Sequence, residues 1–130
     1  MEKEFEEFAK SDFTLQIFSK NKLVFKSKKE GVRGLVDYIK KYGKHFGDLT
    51  IFDRVIGNAA ALLFAYLKAK EVYGVVGSKL AKKTLKKFKI KVHLKKTIPN
   101  ILNKDKSYLC PFEKLSLFKT PREFYKILTK

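Results

Sequence analysis

Hydrophobic positions along this chain switch between helical and strand spacing, and the switches mark out a series of elements. Glu2 to Lys10 predicts a short helix with Phe5 and Phe8 on one side. Phe13 to Phe18 and Leu23 to Phe25 predict two strands, joined as a hairpin through Ser19-Lys20-Asn21-Lys22. Gly31 to Tyr42 carries Val32, Leu35, Val36 and Ile39 at helix spacing, and Gly43 supplies the stop. Leu49 to Phe52 predicts a short apolar strand, and Asp53 a cap for a helix reaching about Lys70. Val72 to Val76 is a valine-rich strand, after which Ser78 caps a helix to about Phe88.

Residues 89–95 alternate strictly. Ile90, Val92 and Leu94 face one way, and Lys89, Lys91, His93 and Lys95 the other, which predicts an edge strand with one wet face. A loop from Thr97 to Leu109 leads to a helix beginning at Pro111. Thr120-Pro121-Arg122-Glu123 has the residues of a capping box with Pro at the first helical position, so a last helix starts there. No internal repeat, linker or low-complexity segment breaks the series.

The later strands alternate with helices, so an α/β fold follows, with one sheet and helices on both faces. Two stretches sharpen this expectation: "FDRVIGNAAALL" after the third strand and "NKDKSYLCPFEK" near the C-terminus. With the element order, they resemble a branch of the cytidine deaminase-like superfamily known only as a domain of unknown function. The resemblance runs along nearly the whole chain. It implies a three-layer α-β-α sandwich with a mixed five-stranded sheet of order 2-1-3-4-5.

Working deaminases of that superfamily place His-x-Glu or Cys-x-Glu at one helix start and Pro-Cys-x-x-Cys at the next, to hold zinc and shuttle a proton. Here the first of those helices begins Asp53-Arg54-Val55-Ile56-Gly57 and the second Gly77-Ser78-Lys79-Leu80. Both motifs are missing. His45, His93 and Cys110 are scattered, whereas a catalytic zinc needs three convergent ligands. No metal and no cofactor are expected, and conventional zinc-dependent deamination is not expected either.

What the resemblance leaves is a pocket at the helix starts. A helix N-terminus suits an anion. Arg54, one of only three arginines, falls on the expected first turn, with Gly57, Ala59, Ala60 and Ala61 leaving room beside it. In the functional reading, Arg54, Asp53, Gly57 and Ser78 bind a small anionic ligand such as a nucleotide. In the structural reading, the small residues pack the helix on the sheet, Asp53 caps it and Arg54 is solvated.

The only cysteine lies in "SYLCPFEKL". Cys110 falls at an N-cap, Pro111 at N1 and Glu113 at N3, so helix initiation accounts for the Pro and the Glu. A thiol at a helix start gains thiolate character, which Glu113 opposes. Cys110 and Glu113 are therefore candidates for catalysis, with Asn103 or His45 as helpers, and Cys110 and Asn103 are candidates for ligand contact. A buried structural cysteine is the alternative.

Composition then bounds the classes. The chain has 130 residues, enough for one domain, and a single cysteine, which fits a reducing compartment. The acidic start MEKEFEEFAK lacks signal-peptide order, and the longest uncharged run, Val55 to Leu67, is too short to span a bilayer. A cytoplasmic protein is expected. The net charge is +17, from 27 Lys and three Arg against 13 Asp and Glu. Such Lys excess with one glutamine, Gln16, fits an AT-rich genome, a thermophile or both. Lys79, Lys82, Lys83, Lys86 and Lys87 form one helical stripe, and Lys89 and Lys91 continue it, an alternative surface for nucleic acid. The stretch lacks interleaved aromatics for stacking, so any binding there is non-specific. Leu80, Ala81, Leu85 and Phe88 are expected to form the buried stripe opposite. Helices around Leu62 and Leu67 suit an oligomer surface or a core equally.

Overall fold

A computed structural model describes residues 1–101 and 111–129. The elements run α1 (Glu2–Lys10), β1 (Leu15–Ser19), β2 (Lys22–Ser27), α2 (Arg33–Tyr42), β3 (Leu49–Ile56), α3 (Asn58–Tyr66), β4 (Glu71–Ser78), α4 (Lys79–Lys87), β5 (Lys91–Ile98), α5 (Pro111–Ser116) and α6 (Pro121–Leu128). The strands form a five-stranded mixed sheet of order β2-β1-β3-β4-β5, the order that the resemblance implied. β1 is antiparallel to both β2 and β3, and β3, β4 and β5 are parallel. The hairpin turn has positive φ at both Lys20 and Asn21, the twist that a two-residue turn between right-handed strands requires.

Alternation along the strands builds two cores. Ile17 and Ile51 point into the larger cluster, with Leu35 of α2, the body of α3, Leu85 of α4 and Phe124 of α6. Phe18 and Phe52 point the other way and join Phe5, Phe8 and Tyr73 under α1. One face of the sheet thus carries α1 and the other carries the remaining helices. α3 is the central helix of the thick layer. Every residue from Asn58 to Phe64 is buried, as expected of a helix apolar on all sides.

The strand β3 continues through Asp53 and Arg54, which overturns the assignment of Asp53 as a helix cap and of Arg54 to a helical first turn. Sheet pairing on both sides wins over the capping preference: Asp53 pairs with Leu15 and Gly74, Val55 with Val76, and Ile56 with Gly77. Gly57 is the N-cap of α3, rather than an interior residue, and α3 ends at Tyr66 instead of about Lys70. Ser78 does cap α4, its Oγ accepting from the Ala81 N–H at 3.0 Å.

The lysine stretch does not form one surface. Val92 and Leu94 pack into the large core, whereas His93 stacks on Tyr73 of the smaller one. Alternation along β5 therefore puts Lys91 on the α1 side of the sheet, and the α4 lysines lie on the other. Leu80 and Phe88 are not buried as expected; each is 39% exposed, while Ala81 and Leu85 fill the core side of α4.

Arg54 ties the thin layer down. Its guanidinium donates to the carbonyls of Phe8, Ala9, Ser11 and Phe13 and sits 5.1 Å from the centre of the Phe8 ring. Phe8 and Ala9 lie in the last turn of α1, where carbonyls lack helical partners and a cation is favoured. Arg54→Met is expected to cost about 3 kcal/mol in denaturant melts, since hydrogen bonds to a charged donor contribute ~1.5–3 kcal/mol each and act here as a group. Hydrogen exchange should speed up across α1 in that variant and stay unchanged in α3.

Candidate functional site

The site is built around the start of α3. Its first backbone N–H groups have no helical acceptors and point out of the N-terminus. The structure fills that position from 54 and 55 residues away in sequence: Glu113 Oε2 accepts from the Asn58 N–H and Oε1 from the Ala59 N–H, both at 2.8 Å. The chain supplies its own anion to the helix dipole. Glu113 is only 6% exposed. Burial pushes its pKa up, and the two N–H bonds oppose that shift.

Gly57 makes the approach feasible. A β-carbon there would fall 2.5 Å from the Glu113 carboxyl carbon, so any larger residue would have to displace the carboxylate. A hydrogen-bond network secures the neighbours. Asn58 Nδ2 donates to Ser116 Oγ at 3.0 Å and to the Ser116 carbonyl at 3.3 Å, while Thr84 Oγ1 donates to Asn58 Oδ1 at 2.6 Å. Ser116 Oγ in turn donates to the Glu113 carbonyl at 2.7 Å. α3, α4 and α5 are thus joined through one asparagine.

Beside this cap lies a cleft of about 490 Å³ between the end of β3 and the starts of α2 and α3. Val32, Ala59, Ala60, Ile101 and Phe112 give it apolar walls, and Asp53, Glu30 and Glu113 give it carboxyls. Arg54 is the only cation among its described lining residues, and that guanidinium is engaged by the carbonyls beneath α1. Asp53 is 7% exposed. Burial pushes its pKa up to about 8, against the pull of the Arg54 and Val55 N–H groups and the Arg54 charge.

The structure therefore brings Asp53, Arg54, Gly57 and Glu113 to one cleft and leaves Ser78 out of its described lining. Ser78 is buried and bonded to its own helix. Asn103 and Cys110 lie outside the described residues. Lys79, Lys82, Lys83, Lys86 and Lys87 are exposed on α4, Lys89 is exposed in the turn that follows, and Lys91 is exposed at the start of β5. His45 is exposed beside Phe46, and His93 Nε2 pairs with Glu71 Oε2 at 2.7 Å. Among the described residues, no group of three His, Cys, Asp or Glu side chains is placed to hold a metal. None of their helices is long and apolar enough to cross a membrane. Sequence reasoning missed the capping role of Glu113 and the network through Asn58 and Ser116. The one signal was Gly57 ahead of a run of small residues.

Fold and site together define an α/β domain with a self-capped central helix and an apolar cleft bearing carboxyl groups. The chain belongs to the DUF1893 (TM1506) family, a domain of unknown function, whose model matches residues 3–130. It is similar to the crystal structure of a DUF1893 family protein (TM1506) from Thermotoga maritima at 29% sequence identity and a TM-score of 0.84. The likeness covers 98% of this chain and 86% of that one. The comparison with curated proteins gave no match.

The raised pKa of Asp53 sets a pH dependence. The folded state holds this proton more tightly than the unfolded state, whose value is near 3.8. Its contribution is fully present below about pH 4 and is lost as pH rises through about 8. Asp53→Asn should match the parent in stability near pH 4 and exceed it by a few kcal/mol at pH 8.5, each pKa unit being ~1.4 kcal/mol. Urea melts of the two proteins across that range provide the check.

Proposed function

We propose that this protein is a binding domain, without zinc chemistry, for a small ligand that presents a flat apolar face and N–H donors, such as the base of a nucleotide. The observation that carries this reading is the Asp53 carboxyl, buried at the wall of an apolar cleft whose one cation among the described lining residues, Arg54, is bound to carbonyls. The Arg54 and Val55 N–H groups reach this carboxyl, and a ligand amino or ring N–H group entering the cleft can add a further hydrogen bond to it. The expectation of a purely anionic ligand at Arg54 is replaced. That guanidinium is spent on carbonyls, and the helix start already holds the Glu113 carboxylate. The resemblance to the cytidine deaminase-like superfamily supports a nucleobase in the cleft. Any phosphate would remain outside it, in the field of a chain with net charge +17.

The alternative of a nucleic-acid surface on the α4 and β5 lysines has less support, because those lysines divide between two sides of the sheet. A Cys110-dependent enzyme falls on residues outside those described.

Calorimetry with nucleosides and their 5′-monophosphates tests the reading. At least one nucleoside should bind nearly as well as its monophosphate, and Asp53→Leu should abolish binding of both while remaining folded. Binding that needs the phosphate and survives Asp53→Leu would contradict it, as would no binding of any nucleoside or monophosphate at millimolar concentration.

A further inference from the structure

On the far side of α3 from the cleft, a second groove of about 490 Å³ runs between α4 and the corner joining α5 to α6. Leu62 forms part of its floor, and Leu80, Phe88 and Phe118 stand around it. Leu80 and Phe88 are each 39% exposed. Leu80 lies in the first turn of α4 and Phe88 is its C-cap, eight positions later, about 12 Å along a helix. The Phe118 ring is wholly exposed, and its backbone has φ near 59°, a region that disfavours any residue with a β-carbon. Exposure and backbone conformation both work against stability here, and the result is an aromatic ring held out at the groove edge.

The charge around the groove is one-sided. Lys87 and Lys119 line it, and no carboxylate appears among its described lining residues. Lys83, one helical turn before Lys87, is also exposed. A second copy of this chain would bring another +17 to a basic rim. We propose that this groove docks an acidic amphipathic helix of a partner protein, its apolar side on Leu80, Phe88 and Phe118 and its carboxylates on Lys83, Lys87 and Lys119. This is helix-in-groove recognition, in which apolar anchors give affinity and the charged rim selects the partner.

The test uses a fluorescein-labelled peptide of about 18 residues, with Leu at i, i+4, i+7 and i+11 and Glu and Ala elsewhere. A scrambled peptide of the same composition is the control. Fluorescence anisotropy should show the patterned peptide binding at least about tenfold tighter than the scrambled one, and more weakly as salt rises. Phe118→Gly should weaken binding about tenfold with an unchanged or higher Tm, because glycine suits the left-handed backbone. Lys87→Glu with Lys119→Glu should weaken it similarly. Equal binding of the scrambled peptide, or full binding by Phe118→Gly, would overturn the proposal. So would sedimentation as a dimer that Phe118→Gly dissociates, because the occupant would then be a second copy.

Discussion

The structure depends on a carboxylate seated on a helix end. α3 is buried along nearly its whole length, so its free N–H groups cannot turn to water. Glu113 satisfies two of them, and it reaches them because Gly57 offers no side chain. This bond fixes where α5 sits against α3. α5 packs Phe112 against the large core and leads to the corner bearing Phe118. The same seat closes one end of the Asp53 cleft. Two surfaces with different chemistry therefore share one anchor.

Most elements are legible in the sequence because local patterning and tertiary context agree. The strict alternation of residues 89–95 marks an edge strand, and β5 is one. The Thr120 capping box forms as the sequence suggests, with Thr120 and Glu123 bonded reciprocally. Failures arise where a local preference meets a non-local partner. Asp53 looks like a cap because aspartate favours that position, yet strands on both sides of it extend β3. Arg54 looks like an anion site, but its acceptors are carbonyls of α1 and the following loop more than 40 residues away. Glu113 looks like a cap for its own short helix and instead caps another. Periodicity carries no information about any of these pairings.

Charge separates into two roles. The lysines among the described residues are exposed, where a charge adds little to stability. The described interior has three ionisable groups in decisive positions: Arg54, partly buried beneath α1, and the carboxyls of Asp53 and Glu113. Arg54 and Glu113 meet backbone groups from distant parts of the chain, and Asp53 faces a cleft. That asymmetry is why the proposed binding reading rests on Asp53 rather than on the lysine stretch.

A double-mutant cycle shows whether Gly57 and Glu113 act as one unit. If Gly57 is glycine only to admit the Glu113 carboxylate, then Gly57→Ala and Glu113→Ala must be coupled. Each single change should cost about 2–4 kcal/mol, the range for stripping a buried hydrogen-bonded charge. The double variant should cost no more than Glu113→Ala alone, leaving a coupling of at least about 1.5 kcal/mol. Additive losses, within about 0.5 kcal/mol, would mean that the glycine and the carboxylate do not share one seat and that Glu113 is not what holds the start of α3.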